Sequence, residues 1–584
     1  MTPESCISRD SMHKLGLLLN SKYLLVIVAA GALLALPALL YGIPFYSDDG
    51  IVHAIYYSRF SQQLWSGDIY PRWLFGMNCG FGSPTFYFYP PLPYYLTSLI
   101  KPLFASDAYG LRQLGLSATV ALISSGVFSW LWLSQITSRR AALLASVLYM
   151  LMPYHLAYDL YARAAFAEFW VFAWMPLILY FTYAVARSQK HSMPCLALVF
   201  AALMFTHLLT TLIFSPIPLC YAACLAPAEK RWTTTGKTAL AMTIGAGLSA
   251  IFWLPSITTG NFIHLDFITA DSIYSRWFLF GLGKGSSLRY VWFALEVSTL
   301  VLVAFLVCRL KCLGDQKRQA KLWAIVAAWS LFMMTPLSKP IWILVFPLQM
   351  LQFPWRFNTL LTLAATPLLA LAFDRLQQPL ISRDRLLIIL VVLFSIHWAQ
   401  YTFARAWSAY PALSPDQEST ARRFKQLQEG PEVPQFQVRS AQSGGTSAVP
   451  ALLQEMQKQC DASGKTTIIG GRGEVAIERW TWKEMDLRIN NSVPSQVVVS
   501  QFYYPGWVAQ LRDEQVELTV VASKPHGLVS IIVPAGNHII VLRRQPIPQE
   551  RAGQAISAVA LLSLLLLSIW QLMRHGRSVS PTGS

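Results

Sequence analysis

The sequence predicts a polytopic α-helical membrane protein with a C-terminal domain built mainly from β-strands. Of 584 residues, 54% are hydrophobic and only 13% charged, and the mean hydropathy is +0.43. Apolar runs near or above the roughly 17–25 residues that cross a bilayer recur through the first four hundred residues and return near the C-terminus. Between Tyr401 and about Arg551 that pattern stops, and short segments alternating polar with apolar residues replace it.

About twelve spans are expected, starting near residues 23, 113, 141, 169, 193, 211, 236, 290, 322, 357, 386 and 553. The first, Tyr23 to Ile43, is too long for a signal-peptide core, and no small-x-small cleavage site precedes Asp48, so it reads as a retained anchor. Pro194 to Ala226 divides into two helices with a turn near His207 to Thr211, because Pro216, Pro218 and the excess length oppose a single helix. With twelve alternating helices, Lys14, Lys22, Arg139, Arg140, Arg187, Lys190, Lys230, Arg231, Arg309 to Lys321, Arg375 to Arg385, Arg574 and Arg577 share one side. The positive-inside rule makes that side the cytoplasm and places both termini there. The net charge of +17 then follows from topology and contact with anionic membrane lipids. No basic stripe lies outside these loops, which excludes nucleic acid as a partner. The division is a cytoplasmic N-terminus (1–22), a transmembrane domain (23–401) with an outer loop at 44–112, an extracytoplasmic mainly-β domain (402–551), a last span (552–573) and a cytoplasmic tail (574–584).

The outer loop contains GDIYPRWLFGMNCGFGSPTFYFYPPLPYYL, dense in aromatics, Gly and Pro. Such a stretch suits an aromatic belt at the headgroup level, with fixed turns in place of a span. In the later domain, SPDQESTARRFKQLQEG reads as a helix with Ser414 as N-cap, Pro415 in the first position and Gly430 as the stop. EVAIERWTW, EMDLRI, SQVVVSQFYY, VELTVVA, LVSIIVP and HIIVLRR read as strands, with turns at Asn490-Asn491, Pro505-Gly506, His526-Gly527 and Pro534 to Gly536. Spacing of this kind suggests a sandwich. Of eight cysteines, only Cys79 and Cys460 fall on the oxidising side, which allows one disulfide. Cys220 with Cys224 and Cys308 with Cys312 lack the second half of a zinc motif.

Asp48 and Asp49 stand where the first span leaves the bilayer, in YSDDGIVHAIYYSRF. An ionised carboxylate at that boundary needs water, a partner or a ligand. Two in tandem allow one to act as general base while the other orients the nucleophile or helps to hold a divalent cation. The structural alternative is that they cap the helix beginning GIVHAIYY. Further charged groups gather on the same expected face. YARAAFAEFW supplies Arg163 and Glu168, FTHLL supplies His207, LQFPWRFN supplies Arg356, and Arg72 in GDIYPRW joins them as a supporting residue. Singly, such a histidine satisfies its own hydrogen bonds and such an arginine reaches for lipid headgroups. Together they offer guanidinium forks for a phosphate and carboxylates near a bond to be transferred. His264, Asp266 and Asp271 occupy the loop NFIHLDFITADSIYSRW, long enough to form a lid.

Taken in order, YSDDGIVHAIYY, GDIYPRW, GFGSPTFYFYPPLPYYL, YARAAFAEFW, FTHLL, LQFPWRF and QFYYPGWVAQL resemble the GT-C type of polytopic membrane glycosyltransferase. They are more closely similar to bacterial membrane proteins labelled 6-pyruvoyl-tetrahydropterin synthase-related. The resemblance implies a bacterial inner-membrane enzyme transferring a sugar from a polyprenyl-phosphate donor to a lipid, glycan or protein acceptor on the extracytoplasmic face. It carries a catalytic role over to Asp48 or Asp49 and suggests Arg356, with Arg163, as phosphate-binding residues. No cofactor is fixed beyond a divalent cation that the two aspartates leave open. Pterin-synthase chemistry needs a cluster of zinc-binding histidines, whereas His207, His264, His397, His526 and His538 are scattered. Two other readings stand beside this one. A transporter or flippase of a lipid-linked glycan would place ionisable groups near mid-membrane in paired broken helices. A non-catalytic envelope scaffold would depend on the β-domain and tolerate loss of both acids.

Overall fold

The computed structural model describes residues 22–44, 47–104, 110–264, 270–280, 288–376, 381–410, 466–469, 473–524 and 527–576. The expected helix at Ser414 to Gly430, Asp266, His526 and Cys460 lie outside them. Helix is found at each expected span start, but it is broken more often than hydropathy alone suggests. Among the described residues eight helices are long and apolar enough to cross a membrane, or ten if each of two bent pairs counts as one span. The two pairs, Ala228–Leu248 with Ala250–Thr258 and Gly314–Met333 with Pro336–Leu344, bend by 71° and 87°. Lys22–Leu34 and Ser192–Met204 have 13 residues each, about 20 Å of helix against a hydrocarbon core of about 30 Å. The first stops at Ala35 and resumes as Leu36–Tyr41 with Pro37 in its opening turn. A proline there withholds an N–H and crowds the carbonyl four residues earlier. Among the described residues, eight of the about twelve expected spans are thus continuous helices of spanning length, two more are bent pairs, and Lys22–Leu34 and Ser192–Met204 are shorter apolar helices.

Charge separates the two ends of the bundle. At one end Asp374 accepts the Ser138 N–H at 2.9 Å, Arg375 binds Gln316, and Lys311 pairs with Asp384. The other end carries residues 47–104, the starts of Phe166–Ala186 and Pro354–Asp374, and the β-domain.

That domain comprises β1 (Thr466–Ile469), β2 (Gly473–Trp480), β3 (Glu484–Asn491), β4 (Ser495–Phe502), β5 (Trp507–Leu511), β6 (Glu517–Leu518), β7 (Val520–Ala522), β8 (Leu528–Val533) and β9 (Gly536–Arg544). They form a four-stranded sheet, β1-β4-β8-β7, and a five-stranded sheet, β2-β3-β9-β5-β6, with antiparallel pairing throughout. Leu487, Val497, Val499, Ile531, Ile540 and Leu542, drawn from both sheets, share one hydrophobic cluster. VELTVVA, expected as one strand, divides at Thr519: β6 joins β5, and β7 joins β8 in the other sheet. Asn490 and Asn491, expected to turn, are instead the last residues of β3, paired with Asn537 and Gly536. A final helix, Pro548–Gly576, follows.

The aromatic loop is not mainly a lipid-facing belt. Phe86 and Tyr94 are buried in the helical core, while Trp73, Phe81 and Tyr87 belong to the hydrophobic cluster of the β-domain. Polar contacts fix the junction: Phe502 N donates to Phe81 O at 2.7 Å, Trp73 Nε1 to Gln501 Oε1 at 3.0 Å, and Tyr504 pairs with Thr259 at 2.8 Å. The Arg544 guanidinium lies 4.8 Å from the Trp73 ring centre and 5.2 Å from that of Tyr87. Cys79 in this loop is disulfide-bonded, whereas Cys195, Cys220, Cys224, Cys308 and Cys312 are free.

Arg72 Nη1 lies 2.8 Å from Glu550 Oε2, with both side chains buried, and Nη2 donates to Ile251 O at 2.8 Å. Tyr87 completes the site by donating to the other Glu550 oxygen. Breaking such a pair from one side strands a buried charge at a cost of about 3–5 kcal/mol. Arg72→Met should therefore lower the unfolding midpoint in detergent and expose the β-domain to protease. The double variant Arg72→Met/Glu550→Leu should recover part of that loss; a single variant as stable as the parent would refute the junction's importance.

Candidate functional site

The site begins with the turn before the helix Gly50–Trp65, where Asp49 is not used as a cap. Ser47 reaches the first turn of that helix: the Gly50 N–H donates to Ser47 Oγ at 3.2 Å. Asp49 sits at the N-cap position without a side-chain cap bond. The turn is tight enough that a Cβ on Gly50 would lie 2.0 Å from Pro44 O, so the position requires glycine. Freed from capping, Asp49 reaches across to Arg163, with Arg163 Nη2 at 3.4 Å from Asp49 Oδ2. Two backbone bonds hold the segments together, Asp49 N to Arg163 O at 2.7 Å and Asp48 N to Ala162 O at 3.3 Å.

Arg163 is delivered by an unusual helix end. The helix Arg139–Leu151 stops before Pro153, and the chain resumes as a π-helix over Tyr154–Ala162, with i→i−5 bonds such as Tyr158 N to Pro153 O. Wider winding of this kind concentrates at functional sites. It sets Asp159 and Arg163 on nearly one line, with Arg163 Nη1 3.1 Å from Asp159 Oδ1. The next residue, Ala164, has φ of +52°, a left-handed conformation costing a non-glycine residue about 1–3 kcal/mol. That reversal starts the helix Phe166–Ala186 and brings Glu168 Oε2 to 3.0 Å from Arg163 Nη1.

The third segment is Pro354–Phe357, which follows Gln352 at φ of +61°. Arg356 Nε lies 3.4 Å from Glu168 Oε2, and its Nη1 donates to Leu351 O at 2.8 Å. Tyr154 donates to Glu168 Oε1 at 3.0 Å. The Trp355 ring centre is 5.1 Å from the Arg163 guanidinium, close enough for a cation–π contact. Burial opposes the charge on Arg163, but Glu168, Asp159 and Asp49 together outweigh it and push its pKa upward. Side-chain exposure is graded, from 0% for Asp159 through 3% for Glu168, 7% for Arg163 and 11% for Arg356 to 42% for Asp49. Asp49 is thus the acid at the mouth.

Two histidines border the cluster. His53 Nε2 accepts the Phe166 N–H at 3.3 Å and its Nδ1 is 2.7 Å from Tyr94 Oη. It ties the helix behind Asp49 to the helix bearing Glu168. His207 caps its own helix, with Nδ1 accepting the Thr210 N–H at 3.2 Å, and Glu168 and Arg356 act on it electrostatically.

The sequence-expected residues Asp49, Arg163, Glu168 and Arg356 therefore converge, with His207 at the border. Asp48 is adjacent but exposed. Arg72 is corrected: it serves the junction with Glu550 and takes no part in this cluster. Asp159, His53, Tyr154 and Trp355 were not expected. The available signal for Asp159 was its spacing of four residues from Arg163. Among the described residues no three His, Cys, Asp or Glu side chains converge in a way that could hold a metal ion.

Burial lowers the His53 pKa from 6.5 to about 4, against the opposing pull of Asp49. In the unfolded chain His53 takes a proton near 6.5, and in the folded protein it resists one. Its stabilising contribution is complete above pH 6.5 and falls, by up to about 3 kcal/mol, as pH drops toward 4. Thermal unfolding across this window should show that slope, and His53→Gln should reduce it; an unchanged slope would remove His53 from this role.

Comparison with known proteins adds three facts. The profile of the family described as "6-pyruvoyl-tetrahydropterin synthase related domain; membrane protein" matches residues 86–404, more than half of the chain. The match includes Arg163, Glu168, His207 and Arg356 and leaves out Asp49 and the β-domain. Among solved structures, the chain is similar to the oligosaccharyltransferase AglB of Archaeoglobus fulgidus, solved with an inhibitory peptide and a dolichol-phosphate. That likeness has 13% identity and a TM-score of 0.41, and covers 73% of this chain and 62% of that one. It is also similar to the arabinofuranosyltransferase AftD from mycobacteria, with 16% identity, a TM-score of 0.44, and coverage of 69% of this chain and 28% of that one. The chain thus spans less than two thirds of the length of either protein. Among curated proteins no sequence matches. On the extent of the profile match, the chain belongs to the 6-pyruvoyl-tetrahydropterin synthase-related family of membrane proteins.

Proposed function

We propose that this protein is a membrane glycosyltransferase that moves a sugar from a polyprenyl-phosphate donor to a lipid, glycan or protein acceptor on the extracytoplasmic face. The observation that carries the reading is the half-exposed Asp49 carboxylate at the mouth of a cluster holding two nearly buried guanidiniums. The extracytoplasmic side is supported by the basic loops of the sequence expected at the opposite end of the bundle, which the positive-inside rule assigns to the cytoplasm.

In this scheme Asp49 accepts the proton of the acceptor hydroxyl as its oxygen bonds to the anomeric carbon. The bond from that carbon to the phosphate oxygen breaks, and the polyprenyl phosphate leaves with the electron pair. Arg356, held to Glu168 by one long contact and to Leu351 by one backbone bond, is the less committed guanidinium and meets the leaving phosphate. Arg163, fixed by three carboxylates, positions Asp49. The two bent helix pairs are breaks of a type that transporters use. No charged residue lies in either break, at Ser249 or at Met334-Thr335, so transport is the weaker reading.

General base catalysis contributes about 10²–10⁴-fold. Asp49→Asn should therefore lower transfer by about a hundredfold or more, and Asp48→Asn by much less, read by mass spectrometry of envelope glycans and lipids from cells carrying each variant or no copy. A sugar that persists without the gene, or in full amount with Asp49→Asn, would sink the proposal. Intact function in Asp49→Asn combined with its loss on removing residues 466–544 would favour the scaffold.

A further inference from the structure

A second site lies along the helix Gly50–Trp65, roughly 12 residues or about 18 Å from Asp49. There a cavity of about 200 Å³ is lined by Ser58, Ser61, Gln62, Lys101, Gly110 and Gln113, among others. Its volume suits a headgroup and is below the roughly 300–1,000 Å³ of pockets for larger ligands. Ser61 and Gln113 are each only 2% exposed, yet Ser61 Oγ and Gln113 Oε1 have no hydrogen-bond partner in the protein. Leaving such an atom unpaired costs about 1–3 kcal/mol. The Gln113 amide is not free to turn, because its Nε2 donates to Phe104 O at 3.3 Å, so Oε1 stays available as an acceptor. Gly110 keeps the wall thin: its φ is +73°, and a Cβ there would lie 2.2 Å from the Tyr57 ring.

The lining specifies a ligand. Among the described lining residues Lys101 is the one that carries a charge, which suits a ligand that carries an anion. Gln113 Oε1 requires a donor, so the ligand also carries a hydroxyl, and the Ser58, Ser61 and Gln62 side chains can accept or donate around it. The site stands where the span Leu111–Leu133 begins, beside Leu99 and Leu103, which are 71% and 73% exposed. That combination belongs at the level where headgroups meet acyl chains. We infer that the cavity takes the phosphate and free hydroxyls of a phosphoglycerol headgroup, presented by an anionic phospholipid of the bilayer. The site stands apart from the Asp49 cluster and does not depend on the transfer reaction proposed for it.

The test is native mass spectrometry of the full-length protein from nanodiscs of phosphatidylcholine doped with phosphatidylglycerol or phosphatidylethanolamine. The parent should retain phosphatidylglycerol in preference to the other two. A charge-assisted contact is about twice as strong as a neutral one, so Lys101→Gln should weaken that retention by about tenfold or more. Gln113→Leu, which removes the acceptor without emptying the site, should weaken it as well, with unfolding midpoints confirming that both variants are folded. Competition by soluble glycerol phosphate would support the recognition chemistry and show that the ligand can arrive from solution; failure of inorganic phosphate to compete would show that the hydroxyls are read. Equal retention of all three lipids by the parent, or undiminished phosphatidylglycerol in folded Lys101→Gln, would overturn the assignment.

Discussion

A guanidinium taken out of water must have its charge answered, and the arrangement at the head of this bundle follows from answering Arg163. Desolvating such an ion costs several kcal/mol unless partners surround it. Here the partners come from different segments: Asp49 from the turn before Gly50–Trp65, Asp159 from the π-helix and Glu168 from the next span. Each segment needs its own device to arrive in place. Ser47 receives the Gly50 N–H while Asp49 makes no cap bond, Pro153 ends an α-helix so that wider winding can begin, and Ala164 accepts a left-handed backbone. Strain of that kind persists only where surrounding contacts determine it, and the bonds from Asp48 and Asp49 to the Ala162 and Arg163 carbonyls are among those contacts.

The same requirement appears again at the β-domain. Arg72 and Arg544 are held among Glu550, Tyr87, Trp73 and Tyr504, residues drawn from the loop, the sheet and the final helix. The domain is therefore docked, and the loop between Arg72 and Phe88 is shared between two cores. Gln63 links this loop to the acid-bearing helix, donating to Trp73 O at 2.8 Å and accepting from Phe75 N at 3.1 Å. A displacement of the β-domain would thus be felt by the helix whose N-terminus bears Asp49. The coupling is mechanical, through a chain of named contacts, and it gives the β-domain a structural reason to be present whatever else it binds.

How much of this was legible in the sequence depended on how rare each signal was. Charged residues flanking long apolar runs are few, so Asp49, Arg163, Glu168 and Arg356 stood out, and helix ends at one face of a bundle have little choice but to lie near one another. Arg72 had the same surroundings in the sequence as Arg163 and went elsewhere, because its partner Glu550 stands near the other end of the chain and no local pattern announces it. Asp159 sat inside an apolar run, where an i, i+4 pair with Arg163 implies contact only if the backbone is helical there, and Pro153 argued against that. Breaks within the spans were hidden for a related reason: hydropathy averages over them, so the turn at Ala35 and the bend at Ser249 leave the apolar profile unchanged while dividing the helix. The alternation of the strands was readable, but the assignment of β6 and β7 to different sheets was not, since both arise from one continuous β-branched run.

For the function we propose, the grading of exposure singles out one acid. Glu168 is buried against Arg163 and Arg356, and it could take up a proton only by leaving a guanidinium partly unanswered in a medium that punishes unpaired charge; Asp159 is fully buried and out of reach of a ligand. Asp49 differs on both counts. Its contact with Arg163 is the longest of the three, at 3.4 Å, and its side chain is 42% exposed, so water can replace it at the guanidinium when it changes partner. Glu168, 3.0 Å from Arg163, keeps the guanidinium compensated throughout that exchange. A cluster with three equivalent carboxylates would hold an arginine and do little else; one with two buried and one at the mouth has a fixed positive centre and a single exposed acid, which is why the proposed base role falls to Asp49.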